Sequence, residues 1–329
     1  MQNGTVIVFA TSFLDEPVAP TADWGKGREI LEAAEQHHGI KIEYRCDRNP
    51  AEPPSSAELD GAIAIIADLE RYDRALLEQV GAGRGGSLGL IARYGIGYTN
   101  VDIAAAKECG VLVANAPGAN APPTAEWAVA TLLDVAGTRL VHHRLAAQGK
   151  PKISRTRLDV GGKTLGVIGT GTIGKQVVEL LRGFNMEVIA HDLYPDHDWA
   201  QAHGVEYAGF ENVLERADFL TLHASSPDLL IGETELARLK RTAVLVNCAR
   251  GHLVDNRAAY RAVKEGRLWG YGLDEIWEHS DLELEGVNVI VSPHVGSDTD
   301  RGKERMQRMT AETVAAYLDG KTPQHIVNR

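Results

Sequence analysis

Leu165-Gly166-Val167-Ile168-Gly169-Thr170-Gly171-Thr172-Ile173-Gly174 is an apolar strand running into G-x-G-x-x-G. The three glycines have separate tasks at that spacing. Gly169 allows a tight turn, Gly171 lets the backbone approach a pyrophosphate, and Gly174 lets the following helix pack closely on the sheet. The anion then lies on the free N–H groups and the positive dipole end of a helix beginning near Thr172 and Ile173. The flanking sequence predicts a strand over 164–168 and a helix over 173–184, with Val177, Val178, Leu180 and Leu181 on its buried side. A second strand over 187–190 delivers Asp192, eighteen residues after Gly174. A carboxylate there accepts hydrogen bonds from an adenosine ribose and repels a 2′-phosphate. No Arg or Lys follows in 193–197, so NAD is expected rather than NADP.

A chain of 329 residues is long enough for two domains, each with its own core. A net charge of −11 without long like-charge blocks argues against nucleic acid or an anionic membrane surface as partner. An anionic substrate would have to be held by a local arginine and backbone amides. Met1-Gln2-Asn3-Gly4 leads straight into a short strand over 5–10, so no leader is expected, and no segment approaches bilayer-spanning length. Cys46, Cys109 and Cys248 lack C-x-x-C spacing, which predicts free thiols and a reducing, cytoplasmic setting. His37-His38 and His142-His143 lack i, i+4 spacing and have no Cys or acidic partner to complete a ligand set, so no metal is expected.

Ahead of the glycine motif, strand and helix signals alternate. Strands are predicted over 5–10, 40–45, 61–67, 89–94 and 111–114, and helices over 27–37, 71–80 and 102–109. This alternation predicts a parallel sheet with helices on both faces. The glycine tract 81–86 reads as a flexible surface turn. Asn115-Ala116-Pro117-Gly118 and Pro122-Pro123 then break the chain before a long helical pattern over 124–148, with Pro123 suited to its first turn. Strands resume over 244–247, 270–274 and 289–291, and one amphipathic helix is predicted over 300–318. A single helix cannot be a domain, so it is expected to pack back on the first unit. The expected architecture is α/β: a discontinuous substrate domain, 1–115 and 296–329, around a nucleotide domain, 116–295, with a ligand cleft between them.

From Arg93 onward the residues resemble the D-isomer-specific 2-hydroxyacid dehydrogenase family. The pieces that carry the resemblance are Arg93-Tyr94-Gly95-Ile96-Gly97-Tyr98-Thr99-Asn100-Val101-Asp102, Asn115-Ala116-Pro117-Gly118-Ala119-Asn120 and Ala125-Glu126. They continue with 169–174, Asn247-Cys248-Ala249-Arg250-Gly251, Gly272-Leu273-Asp274 and Ser292-Pro293-His294-Val295-Gly296. The resemblance implies a Rossmann nucleotide-binding domain inserted into a flavodoxin-like substrate domain, a homodimer with the 124–148 helix near its interface, and NAD-dependent hydride exchange with a 2-keto or 2-hydroxy acid.

That chemistry needs a held carboxylate, a polarised carbonyl and a proton. Arg250 suits the first two, because a guanidinium is always charged and presents a planar fork of donors. His294 suits the third, since an imidazole gives and takes a proton near neutral pH. In the family a carboxylate beside this histidine usually lies five residues after the Asp of the Leu-Asp pair. Here that slot is His279, with Glu278 at plus four and Glu275 at plus one. Glu278 is the expected partner, on a loop one residue shorter, and His279 is its alternative. The Gly95-Ile96-Gly97 turn resembles the loop whose Ile96 and Gly97 N–H groups would receive the substrate carboxylate. Asp274 would accept from the nicotinamide amide, and Cys248, Ala249, Arg250, His294 and Gly296 would line the cofactor. The displaced carboxylate leaves a second reading open, an NAD-sensing, corepressor-like binding protein on the same fold. Formate-type or phosphite-type donors are a third.

Overall fold

The computed structural model describes residues 4–16, 23–49, 52–150 and 157–329. Residues 1–3, part of the stretch behind the expectation of no leader, lie outside it. The chain divides into two compact units, Met1–Asn120 with Asp298–Arg329, and Ala121–Ser297.

The first unit holds β1 (Thr5–Val8), α1 (Lys26–His38), β2 (Lys41–Tyr44), β3 (Ala62–Ala67), α2 (Arg74–Val80), β4 (Leu90–Arg93), α3 (Ile103–Glu108) and β5 (Leu112–Ala114). Its five parallel strands run in the order β2-β1-β3-β4-β5, a flavodoxin-like winding. β3 is Ala-Ile-Ala-Ile-Ile-Ala and is buried throughout, as a central parallel strand covered on both faces must be. Alternation along β1 sends Val6 and Val8 into the core shared with Leu31 of α1, and Ile7 and Phe9 into the opposite core with Leu77. The glycine tract 81–86 is a surface turn, with residues 82–85 exposed, but its backbone is tied down rather than free. Gly83 N–H donates to Cys109 O at 2.8 Å, and a Cβ on Gly86 would lie 2.2 Å from Val80 O.

The second unit holds α4 (Ala121–Ala136), α5 (Arg139–Ala147), β6 (Thr164–Ile168), α6 (Thr172–Leu181), β7 (Glu187–His191), α7 (His197–His203), β8 (Val205–Tyr207), α8 (Phe210–Arg216), β9 (Phe219–Leu222), α9 (Glu233–Arg238), β10 (Val244–Asn247), α10 (Asn256–Lys264), β11 (Gly270–Asp274) and β12 (Val289–Ser292). Its seven strands run β12-β11-β10-β9-β6-β7-β8, all parallel. The winding reverses between β6 and β9, so the carboxyl ends of those strands border the crevice where such sheets bind ligands. The helix predicted over 124–148 is two helices. Thr138 is left-handed (φ +49), and its hydroxyl lies 3.1 Å from Nδ1 of His142. Gly137 and a β-branched residue are weak helix formers, which places the break there. The apolar side of α4 is covered within its own unit, where Leu132 and Val135 pack in one core with Val177 and Val246.

The last helix, α11 (Asp300–Leu318), belongs to the first unit and packs on α1, as its isolation in the sequence predicted. A Cβ on Gly27 would come within 2.8 Å of Gln307, so the two helices are in close contact. The expectation that the paired histidines have no acidic partner to complete a ligand set fails at His37-His38. Asp319, just after α11, sits 3.0 Å from His38 Nε2 and also pairs with Lys321, forming an exposed network with His37. Among the described residues no helix is long and apolar enough to cross a membrane.

Candidate active site

The glycine motif has the local geometry its spacing predicts. Gly169 is left-handed (φ +91), and a Cβ there would strike Ala224 N at 2.6 Å. A Cβ on Gly174 would lie 2.1 Å from Gly169 O, whereas one on Gly171 would meet nothing within 4 Å. The open position is the one that must admit a pyrophosphate, so the cradle fits a dinucleotide. Gly171 caps α6 without a side-chain bond, leaving the first N–H groups of the helix, Thr172 and Ile173 among them, to an anion. Asp192 follows β7. Burial pushes its carboxyl up, but donations from Tyr194 N, Thr170 N and Thr170 Oγ1 outweigh this and hold it below the usual value of 3.8. It is therefore ionised, as a ribose acceptor must be.

Arg250 follows β10. Asn247, fully buried, donates to Arg250 O at 2.8 Å and accepts from Ala249 N at 3.0 Å, which shapes the turn. One guanidinium nitrogen donates to Ala249 O, and no other bond from the guanidinium is seen among the described residues. Gly251 has no room for a Cβ, because Glu275 Cγ lies 2.8 Å from where it would stand. This close approach brings Glu275 in beside Arg250.

Glu275 is the carboxylate on His294, with Oε2 3.2 Å from Nδ1. Glu278, the expected partner, is exposed, and His279 meets Trp277 through ring and carbonyl instead. The expectation is corrected for a physical reason. Glu275 directly follows β11 and fills the space Gly251 leaves, whereas the loop carries the later residues away. The bond to Glu275 raises the His294 pKa above its usual 6.5, against burial and the positive charge of Arg250. Burial opposes ionisation of Glu275, yet His294 holds its pKa below 4.5. His294 is left-handed (φ +58), a conformation that disfavours a non-glycine residue by about 1–2 kcal/mol. Asp274 sets that turn by accepting from Val295 N at 2.9 Å, Gly296 N at 2.8 Å and Ser292 Oγ at 2.6 Å. Its carboxylate thus positions the His294 turn, a role its sequence context did not signal. With Nδ1 occupied by Glu275, Nε2 is the nitrogen left for a substrate oxygen. Burial pushes the Cys248 thiol well up, so it is no thiolate.

In the first unit the Gly95-Ile96-Gly97 turn directs its carbonyls inward. Gly95 O accepts from Ala116 N, Ile96 O from Asn115 Nδ2 and Gly97 O from Arg93 Nε. The N–H groups of Ile96 and Gly97 make no hydrogen bond among the described residues and can receive an anion. Arg93 and Asn115 lie inside the quoted motifs, but spacing alone did not reveal that they hold this turn.

Comparison with known proteins places the chain in a family. The family described as D-isomer-specific 2-hydroxyacid dehydrogenase, NAD-binding domain, matches residues 129–296. The chain is 37% identical over 254 residues to a glyoxylate reductase of Korarchaeum cryptofilum, covering 74% of this chain and 76% of that protein. It is 33% identical over 317 residues to a glyoxylate reductase of Thermococcus litoralis, covering 89% and 94% respectively. A Thermus thermophilus crystal structure aligns with a TM-score of 0.79 at 29% identity, over 98% of this chain and 99% of that one.

Proposed function

Because this chain belongs to the D-isomer-specific 2-hydroxyacid dehydrogenase family and is an NAD-dependent oxidoreductase acting on the CH–OH group of 2-hydroxy acids, we propose that it reduces a small 2-keto acid, with glyoxylate the first candidate. The observation that carries this reading is the Glu275–His294 pair beside Arg250. Its carboxylate is the group whose absence would favour a corepressor-like protein.

Bound NADH supplies the hydride that reaches C2 of the acid. Arg250 grips the carboxylate and draws electron density toward the carbonyl oxygen. His294, protonated with help from Glu275, gives its proton from Nε2 to that oxygen, and in oxidation it takes the proton back. Glu275 fixes the ring and keeps it charged. The free N–H groups of Ile96 and Gly97 are proposed as substrate contacts on the strength of the family resemblance of their turn. Asp192 is assigned to the adenosine ribose, and the start of α6 with Cys248, Ala249, Asp274 and Gly296 to the rest of the cofactor.

Loss of NADH absorbance with glyoxylate and a series of larger 2-keto acids tests the assignment. Turnover that falls steeply as the C3 group grows supports a glyoxylate-type substrate. NADH binding without turnover of any 2-keto acid contradicts it. We further assign a homodimer and a cytoplasmic setting. The free state of Cys46, Cys109 and Cys248 supports the setting, and sedimentation equilibrium checks the dimer.

A further inference from the structure

We propose that Thr170 and Tyr207 are positioning residues that aim the Asp192 carboxylate, and through it set the preference for NADH over NADPH. The inference rests on the assignment of Asp192 to the ribose and goes beyond it to what holds that carboxylate in place.

Asp192 Oδ2 accepts from Thr170 N at 2.6 Å and from Thr170 Oγ1 at 3.0 Å, while Oδ1 accepts from Tyr194 N at 2.8 Å. Thr170 Oγ1 also lies 2.7 Å from the Tyr207 hydroxyl, which accepts from Asp196 N at 3.1 Å. A hydroxyl has one proton to give. An ionised carboxylate only accepts, so the Thr170 proton points to Asp192. Tyr207 must then donate to Thr170, and its own oxygen takes the N–H of Asp196. The chain has a single direction, from Asp196 N–H through Tyr207 and Thr170 to the carboxylate.

The lysine that reaches Asp196 is committed there. Lys175, in the first turn of α6, pairs with Asp196 Oδ2 at 2.5 Å and lies over the Trp199 ring. A 2′-phosphate would therefore meet a carboxylate held in place and a lysine already engaged. Thr170 is almost fully buried. It sits between the first two glycines of the motif, where the backbone needs no hydroxyl to turn. Tyr207 ends the edge strand β8, and its hydroxyl is used wholly within this chain of bonds.

The test measures dissociation constants of NADH and NADPH by tryptophan fluorescence, without substrate, for wild type, Thr170→Val, Thr170→Ser, Tyr207→Phe and Asp192→Asn. Thr170→Val and Tyr207→Phe are close in shape to the originals, and circular dichroism verifies their folds. The expected result is NADH binding weakened about three- to tenfold in both, from loss of a charge-assisted bond or its support. NADPH binding changes little, so the preference narrows, and Thr170→Ser restores it. A wild-type preference in Thr170→Val and Tyr207→Phe, with the preference lost in Asp192→Asn, overturns the positioning role and leaves the ribose assignment standing. A wild-type preference in Asp192→Asn overturns both.

Discussion

His294 and Glu275 stabilise one another only while both are charged, and the direction of each shift defines when that holds. The His294 pKa is raised above 6.5, so its contribution is complete below that value and is lost as pH rises through the raised one. The Glu275 pKa is lowered below 4.5, so its contribution is complete above that value and is lost as pH falls through the lowered one. The pair therefore adds most stability between about pH 4.5 and 6.5. Glu275→Gln should lower the melting temperature most in that window and progressively less toward alkaline pH, as a thermal-shift series across pH would show. Equal losses at all pH values would mean the side chain acts by packing alone. Glu278→Gln, on an exposed residue, should change nothing. This pairing was the least legible part of the site. Arg250 and His294 stood out by their motifs, but counting along 274–279 cannot show which side chain turns inward. The space beside Gly251 decides that, and the space exists only once β10 and β11 are aligned.

The glycines divide by what surrounds them. Gly171→Ala places a methyl group in open space at a backbone angle any residue adopts, so the fold should keep its melting temperature while NADH affinity falls roughly tenfold or more. Gly174→Ala pushes a methyl onto Gly169 O and should prevent stable folding, judged by soluble yield and circular dichroism. Gly27→Ala offers a contrast. Inside a helix that change normally adds about 1 kcal/mol, but here the methyl meets Gln307, so chemical denaturation should report a loss of about 1–3 kcal/mol. A gain would show that α1 and α11 are looser than described. The sequence pattern located most strands and α11 closely, because continuous apolar runs and amphipathic periods are local signals. The break at Gly137-Thr138 had a local signal that the longer apolar period outweighed, whereas the bond from Gly83 N–H to Cys109 O depends on a neighbour distant in sequence, and local pattern does not carry that.

At the scale of the molecule, two parallel sheets with separate cores lie on one chain whose last helix returns to the first unit. The return was legible because one amphipathic helix cannot bury its own apolar face. The attachment of the C-terminal tail, which makes a single antiparallel bridge from Ile326 to Ala114, was not foreseen. Asn328, buried, accepts from Val113 N and donates to Val111 O, tying the tail to β5. Asn328→Ala leaves two backbone groups unpaired and should destabilise the first unit by about 1–3 kcal/mol in chemical denaturation. NADH, by contrast, should stabilise the second unit, by about 2.7 kcal/mol at a hundredfold excess over its dissociation constant. Calorimetry with and without NADH separates the two effects. No shift at saturating NADH would contradict the cradle assigned to Gly169, Gly171 and Gly174.

The central claim is that His294, held protonated by Glu275, supplies the proton for reduction of a 2-keto acid. Its most direct test is the pH dependence of kcat/KM for glyoxylate reduction by wild type, Glu275→Gln, Glu278→Gln and His294→Asn, the last chosen because Asn tolerates the left-handed backbone. The account predicts a rate that falls as pH rises through the raised His294 pKa and a limb displaced to lower pH in Glu275→Gln. It also predicts no displacement in Glu278→Gln, and a loss of about 100- to 10,000-fold in His294→Asn. A limb that stays in place in Glu275→Gln, or moves in Glu278→Gln instead, would contradict it.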